Sequence, residues 1–260
     1  MLRRMSEGDP APIDDAARER YATDGWLTCR GLMDAGTCAE VLERARVLVA
    51  RASEEERLAP GWPSDMMGRY LLSKEGAVPF WEPALGDPFQ SPPEERLRHV
   101  ARLGHALHAA DVWLGQLIAE GPVAAVAAAL TGGPVRAVQS VLMLKNPRSP
   151  VGFSYHHDGA YIRSEPESLV VAWLSLDGAP EERGGLRLIP GSHRQAPPPI
   201  PPPIDEGVAV DLEAGDAAFW AAGMLHASRP NLTDLPRSGL IAYFVARDAR
   251  CVIEPCRPGA

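Results

Sequence analysis

The second half of the chain contains a series of short strand patterns, and this series limits the folds that the chain can adopt. Beyond Pro134, six apolar segments are separated by turn residues such as Gly, Pro, Asp and Asn. The segments are residues 135–144, 169–176, 186–189, 208–212, 217–220 and 240–245. Many short strands with frequent turns are typical of β-sandwiches and jelly rolls. We therefore expect a β core over about residues 134–248.

The first half, about residues 1–133, has mostly helical patterns. Asp34 is a candidate helix N-cap, and apolar residues follow it at helical spacing. Residues 94–120 predict a long helix, and residues 122–130 predict a shorter one that ends before a Gly-Gly pair. Residues 59–93 are rich in proline, glycine and aromatic residues, which indicates a long irregular lid. The pattern predicts an α+β fold in a single domain, residues 1–260, with the helices packed on a β-sandwich or jelly roll.

Composition excludes several classes of protein. The net charge is −8, and the arginines are scattered, so a nucleic-acid-binding surface is not expected. The longest apolar region, residues 112–135, is interrupted by Glu120, Pro122 and a Gly-Gly pair, which argues against a membrane span. Residues 1–10 do not resemble a secretory signal, and the four cysteines form no C-x-x-C pair. These features predict a cytoplasmic protein with reduced thiols.

A metal site is indicated by two histidines and an aspartate. His156 and Asp158 are two residues apart, so in extended chain they project from the same face, while His157 points away. His226 follows another predicted strand, seventy residues after His156. Two imidazoles and one carboxylate form the facial triad of non-haem Fe(II) oxygenases. Arg237 follows His226 by eleven residues, and its planar guanidinium suits a carboxylate ligand.

The order of these motifs resembles the phytanoyl-CoA dioxygenase-type family of Fe(II)- and 2-oxoglutarate-dependent oxygenases. The resemblance extends from about residue 23 to residue 247. It is carried by residues 143–147 (MLKNP), 155–158 (YHHD), 184–193 (GGLRLIPGSH) and 225–231 (LHASRPN), together with Arg237. One difference is Tyr155, since the family often has Trp before the first ligand. The resemblance implies a double-stranded β-helix core of the jelly-roll or cupin-like type, with iron at its open end and the N-terminal helices packed on one sheet.

The resemblance also implies roles for particular residues. His156, Asp158 and His226 would bind Fe(II), and Arg237 would hold the distal carboxylate of 2-oxoglutarate. Five further residues would lie near this co-substrate: Gln139, Met143, Lys145, Trp173 and Ser228. Trp173 and Met143 suit a plain core position equally well, and Lys145 also suits a solvated strand end. Asp158 argues against halogenation, because related halogenases have a small residue at that position.

The implied activity is oxidation, most simply hydroxylation, of an unactivated C–H bond in a small organic substrate. Fe(II) would be the cofactor, with 2-oxoglutarate and O2 as co-substrates. The wide use of this family in secondary metabolism suggests a secondary metabolite as substrate. The alternatives are a cupin-like protein that binds metal without turnover, or a lyase or isomerase that does not use 2-oxoglutarate. Arg237 distinguishes these hypotheses, since neither alternative needs it.

Residues for substrate recognition are less sharply indicated. Tyr70, Phe80 and Trp81 either cap the mouth of the barrel or cover the helical layer. Arg163 either meets an anionic group of the substrate or lies on the surface. The Pro-rich segment 197–203 forms a stiff surface connector, a rim of the pocket or a docking site for a partner. His193 is expected to have a structural role, because His226 already completes the triad. His105 and His108 are three residues apart on a predicted helix and could bind a metal, but no third ligand is nearby in the sequence, so helix packing is expected.

Overall fold

The computed structural model of the protein describes residues 13–53 and 76–254, and antiparallel β-strands dominate it. In chain order the strands are β1 (Trp26–Cys29), β2 (Ala77–Trp81), β3 (Val100–His105), β4 (Val135–Lys145), β5 (Phe153–His156), β6 (Ile162–Glu165), β7 (Val170–Ser175), β8 (Leu186–Leu188), β9 (Val208–Val210), β10 (Ala217–Ala221), β11 (His226–Ser228), β12 (Arg237–Ala246) and β13 (Arg250–Ile253). The large sheet has seven strands in the order β1-β10-β7-β12-β4-β3-β2. The small sheet has the order β5-β11-β8-β9, and β13 pairs with β6 as a separate ribbon.

Alternation along the strands assigns the two faces of the large sheet. On β7, Ala172 and Leu174 belong to the hydrophobic cluster shared with the helices, whereas Val171 and Trp173 belong to the cluster shared with the small sheet. Successive side chains of a strand point to opposite faces, so β7 is buried on both sides. The large sheet is therefore the middle layer, between the helices and the small sheet, and the predicted packing of helices on one sheet is confirmed.

Within the described ranges, five α-helices cover the outer face of the large sheet. They are α1 (Asp15–Asp24), α2 (Ala35–Ala50), α3 (Leu107–Ala110), α4 (Val112–Glu120) and α5 (Pro122–Thr131). The predicted cap of α2 is present, because the Asp34 carboxylate accepts a 2.8 Å hydrogen bond from the Thr37 amide. α5 has Pro122 in its first turn and ends at Gly132, which adopts the left-handed conformation.

The predicted long helix over residues 94–120 is wrong. The structure has a 3-10 helix at Pro93–His99, then β3, and only then α3 and α4. β3 pairs with β4, and a Cβ on Gly104 would lie 3.0 Å from Val141 Cγ2. This close approach suits glycine. Long-range pairing with β4 thus overrides the local helical pattern. β2 likewise lies within the stretch that was predicted to be irregular, so the first half contributes three strands to the large sheet.

The segment Val112–Thr131 is long and apolar enough to cross a membrane by length and composition alone. It is divided at Gly121 into α4 and α5, and 44% of it is buried inside the protein. Its residues Leu114, Leu117 and Val126 belong to the cluster between the helices and the large sheet. Packing against the large sheet therefore accounts for its apolar character.

Candidate active site

The two histidines and the aspartate of the predicted triad meet at one end of the small sheet. His156 is the last residue of β5, and Asp158 opens the short 3-10 helix that follows it. β11 runs antiparallel to β5 and places His226 directly opposite His156. One ligand atom from each of the three residues lies within 4.8 Å of the others, and His226 Nε2 is 3.7 Å from Asp158 Oδ2. Strand pairing thus closes the gap of seventy residues in the sequence.

Backbone carbonyls orient both imidazoles. His156 Nδ1 donates to the carbonyl oxygen of Ser154 at 2.8 Å, and His226 Nδ1 donates to that of Met224 at 3.0 Å. A carbonyl oxygen only accepts, so each ring carries its hydrogen on Nδ1 and keeps the Nε2 lone pair for a ligand. Burial lowers the pKa of His156, and the neighbouring His226 lowers it further. Neutral imidazoles of this tautomer are the form that binds a metal ion.

The third member, Asp158, is a buried carboxylate held by two neutral donors. Its side chain is almost fully enclosed, Trp220 Nε1 donates to Oδ2 at 2.9 Å, and the Tyr161 hydroxyl donates to Oδ1 at 3.1 Å. Within the described part of the chain, no lysine or arginine forms an ion pair with it. A buried carboxylate is costly unless a positive charge compensates it. A divalent metal ion between Asp158 and the two imidazoles would supply that charge, so the residues fit a metal.

We expect Trp220→Phe to weaken metal binding by about 10- to 100-fold, because it removes the indole N–H that fixes Asp158 Oδ2. Calorimetric titration with Mn(II) measures the change in Kd. Trp113→Phe is the matched control, since Trp113 packs on Arg44 in the helical layer. Equal Mn(II) affinity in Trp220→Phe and the wild type would show that this hydrogen bond does not position the carboxylate.

Arg237 is a buried cation at the start of β12. Its Nε and Nη2 donate to the carbonyl oxygen of Gly184 at 3.2 and 2.9 Å, and its Cζ lies 4.9 Å from the centre of the Trp173 ring. Burial lowers the pKa of Arg237 to about 10, which still leaves it charged at neutral pH. No carboxylate among the described residues forms an ion pair with it, although Asp177 lies close enough to oppose the fall in pKa. The site therefore has a positive charge available for an anionic ligand.

The position of the Trp173 ring beneath Arg237 depends on the absence of a side chain at Gly239. A Cβ on Gly239 would lie 1.6 Å from Trp173 Nε1, so Gly239 leaves the space that the indole fills. We expect Gly239→Ala to displace Trp173 and to lower the free energy of unfolding by about 1–3 kcal/mol, as overpacking does. Urea denaturation measures this loss. Gly133→Ala is the control, because nothing lies within 4 Å of a Cβ there, and comparable stability of the two variants would contradict the packing argument.

A cavity of about 830 Å³ lies between the two sheets and contains the triad and Arg237. Four of the residues predicted to lie near the co-substrate also line it, namely Gln139, Met143, Trp173 and Ser228. Lys145 does not line it. Its ammonium lies behind Ser228 and donates to Ser228 Oγ at 2.7 Å. Four of the five predicted residues thus line one cavity, and Lys145 lies outside the cavity, against Ser228.

The predicted substrate contacts lie elsewhere. Tyr70 is outside the described residues. Phe80 is buried and packs edge-on against His105, with ring centroids 5.3 Å apart, and Trp81 lies in the core beside Phe89. Arg163 is exposed on β6 and pairs with Glu254. None of these three described residues lines the cavity, so the placement of each corresponds to the packing or surface alternative that the sequence also allowed.

Sequence reasoning missed several residues that do line the cavity. Arg102 has no signal in a stretch predicted to be a helix, and His105 is expected there only to pack between helices, whereas β3 carries both side chains to the pocket. The Pro-rich segment contributes four prolines to the lining, which agrees with the interpretation of this segment as a rim of the pocket. They are Pro197, Pro198, Pro199 and Pro201. The donors to Asp158 left no recognisable signal in the sequence, since an aromatic residue on a strand usually indicates core packing.

Comparisons with known proteins agree with this geometry. The phytanoyl-CoA dioxygenase family matches residues 21–239. Phytanoyl-CoA dioxygenase domain-containing protein 1 of Bos taurus is 29% identical over 200 residues, covering 70% of this chain and 66% of the relative. The protein of the same name from Mus musculus is 28% identical over 233 residues, covering 82% and 77%.

Solved structures share the fold. The non-haem alpha-ketoglutarate-dependent epimerase SnoN from nogalamycin biosynthesis has a TM-score of 0.67 at 24% identity and covers 93% of this chain and 85% of its own. EctD from S. alaskensis, crystallised with bound Fe, has a TM-score of 0.67 at 20% identity, with 99% and 85% covered. These likenesses confirm the predicted double-stranded β-helix. The chain belongs to the phytanoyl-CoA dioxygenase family, which confirms both the resemblance and the predicted class of enzyme, a non-haem dioxygenase.

Proposed function

We propose that this chain is an Fe(II)- and 2-oxoglutarate-dependent dioxygenase that hydroxylates, or otherwise oxidises, an unactivated C–H bond of a small organic substrate. One observation carries the proposal. Two imidazoles and a buried carboxylate converge within 4.8 Å in the same cavity as a buried arginine that no described carboxylate neutralises. When bound, Fe(II) supplies the redox chemistry that couples oxidative decarboxylation of 2-oxoglutarate by O2 to oxidation of the substrate.

The chain's own residues hold and orient the reactants. His156, Asp158 and His226 would bind the metal on one side only, which leaves the cavity side open to ligands. Arg237 and Ser228 would hold the distal carboxylate of the co-substrate, because both line the same cavity and both offer hydrogen-bond donors. The Trp173 ring beneath Arg237 fixes the guanidinium and screens it from water.

The cavity also has room for a substrate. Its volume of about 830 Å³ is in the range of pockets that enclose drug-sized molecules, and the co-substrate fills only part of it. The four prolines at its rim carry no N–H donors and present an apolar wall. We place the substrate among small secondary metabolites, on the basis of the family's wide use in that chemistry. Asp158, at the position where related halogenases have a small residue, favours oxidation over halogenation.

The alternative functions, metal binding without turnover and lyase or isomerase chemistry without 2-oxoglutarate, are disfavoured by Arg237. A buried guanidinium with no described ion-pair partner is costly to keep. A function that needs no carboxylate beside the metal gives no reason to keep it. We also place the enzyme in a reducing compartment, the cytoplasm, since the three described cysteines are free thiols: Cys29, Cys38 and Cys251.

The test is formation of succinate from 2-oxoglutarate by the purified protein with Fe(II) and ascorbate, first alone and then with panels of candidate substrates. We expect slow uncoupled turnover alone and faster turnover with a true substrate. Calorimetry with Mn(II), followed by 2-oxoglutarate, measures binding separately from turnover. A protein that binds Mn(II) but neither binds nor consumes 2-oxoglutarate would support the alternative class and overturn the proposal.

A further inference from the structure

Lys145 is a second buried basic side chain beside Arg237. The two residues are direct partners in the β4–β12 pair, so their side chains project from the same face of the large sheet. Their exposed fractions are only 2% and 4%. Like charges placed directly opposite each other are destabilising, and among the described residues neither forms an ion pair with a carboxylate. This part of the site is therefore arranged for an anion that the protein itself does not supply.

The surroundings of Lys145 keep its ammonium away from the cavity. It donates to Ser228 Oγ at 2.7 Å and to the carbonyl oxygen of Arg229, and it lies 5.6 Å from the centre of the Phe153 ring. Gly184 makes room for the lysine stem, since a Cβ there would lie 2.9 Å from Lys145 Cδ. Ser228 lines the cavity and Lys145 does not. Any influence of Lys145 on a bound ligand must therefore pass largely through Ser228.

The protonation state of Lys145 determines whether the Ser228 hydroxyl is free to donate a hydrogen bond to a ligand. An ammonium group has hydrogens but no lone pair, so Ser228 must accept from a protonated Lys145. The single hydroxyl hydrogen of Ser228 then stays free for a ligand in the cavity. Gly184 lies between the two cations, because its carbonyl accepts from Arg237 and its α-carbon borders Lys145. Ser228 and Arg237 line the same cavity, so both can act on one carboxylate there.

We propose that Lys145 is a positioning residue that fixes Ser228 as a hydrogen-bond donor to the distal carboxylate of 2-oxoglutarate. The inference rests on the proposed function, because it assigns a second anchor to the same co-substrate. It differs from a direct contact between Lys145 and the co-substrate, since the ammonium is separated from the cavity by the serine. It also gives the paired cations a common role in binding a dianion.

Protonation of Lys145 is then linked to binding. Burial, and after it the charge of Arg237, lowers the pKa of Lys145 to about 6. Arg229, whose carbonyl oxygen accepts from Lys145, turns its own guanidinium towards Glu181 and Asp205. A neutral amine can accept from Ser228 and use up its hydrogen, whereas a bound dianion favours the ammonium form. We therefore expect binding of 2-oxoglutarate between pH 7 and 8 to take up part of a proton.

Calorimetric titration of Mn(II)-loaded protein with 2-oxoglutarate, in two buffers of different ionisation enthalpy, tests both points. We expect Lys145→Met and Ser228→Ala each to raise the Kd by about tenfold. Because the lysine acts through the serine, the double variant should also lose about tenfold and not about a hundredfold. The wild type should take up protons on binding, and Lys145→Met should not.

Leu144→Met is the matched control on the same strand, since Leu144 points to the opposite face and packs in the helical layer. Ser228→Thr keeps the hydroxyl and should bind within about twofold of the wild type. Additive losses in the double variant, or unchanged proton uptake in Lys145→Met, would overturn the inference. Should Lys145→Met not fold, equal affinity of Ser228→Ala and Ser228→Thr would overturn it. Failure of the wild type to bind Mn(II) or 2-oxoglutarate would instead count against the proposed function.

Discussion

Replacing Asp158 with alanine is expected to abolish succinate formation and to weaken Mn(II) and Fe(II) binding by about 100-fold or more. The carboxylate is the only anion among the three candidate ligands, and it lies 3.7 Å from the Nε2 of His226. Loss of a residue that merely orients a ligand costs about 10- to 100-fold in metal affinity. Loss of the charged ligand itself should cost more, since two neutral imidazoles cannot compensate a divalent cation.

The thermal stability of Asp158→Ala, with and without Mn(II), is a second test of the metal-binding role of Asp158. In the metal-free protein Asp158 is a buried carboxylate with neutral donors only, so its removal should leave the metal-free variant no less stable than the wild type. Mn(II) should then raise the melting temperature of the wild type and leave that of Asp158→Ala unchanged, because a ligand stabilises only the form that binds it. Asp234→Ala, at an exposed ion pair with Arg148, is the control. An equal Mn(II)-induced shift in wild type and Asp158→Ala would remove Asp158 from the metal site.

The sequence indicated the triad because two of its members are close neighbours along the chain. The spacing of His156 and Asp158 is a local property, and an extended strand puts both on one face. The approach of His226 depends on the pairing of β11 with β5, which no local pattern specifies. The order of motifs in the family supplied that step. The backbone carbonyls that orient the two imidazoles lie two residues before each histidine, and the sequence pattern does not show that the rings turn towards them.

The wrongly predicted helix over residues 94–120 also results from long-range strand pairing, which local patterns do not show. Residues 94–120 repeat apolar side chains at helical spacing, yet residues 100–105 form a strand because β4 offers a long partner. The helical pattern therefore gives no reason to place Arg102 in the pocket and assigns His105 to helix packing, although both line the pocket. Lys145 shows that the burial of a single residue is hard to predict from the sequence. A lysine at a strand end is usually solvated, and only the fold shows that Gly184 and Phe153 enclose it. Local patterns thus predicted the layers and the juxtaposition of His156 and Asp158, and long-range pairing determined their surroundings.

Arg237→Met is expected to raise the KM for 2-oxoglutarate by about 100-fold, with kcat at saturating co-substrate changed by only a fewfold. In the proposed function the guanidinium would bind the end of the co-substrate that does not react, so its loss should weaken binding of the ground state and of the transition state alike. Truncating one partner of a buried, hydrogen-bonded charge pair costs about 2–5 kcal/mol, which corresponds to roughly 30-fold or more in affinity.

Arg237→Lys separates charge from geometry. The ammonium keeps the charge but cannot make the planar two-point contact with a carboxylate, nor stack on Trp173 as the guanidinium does. We expect a KM between those of the wild type and Arg237→Met, measured from the rate of succinate formation as 2-oxoglutarate is varied. Arg148→Met is the control, because Arg148 is exposed and pairs with Asp234. An unchanged KM in Arg237→Met would leave the buried cation without its ligand and would favour an enzyme that does not use 2-oxoglutarate.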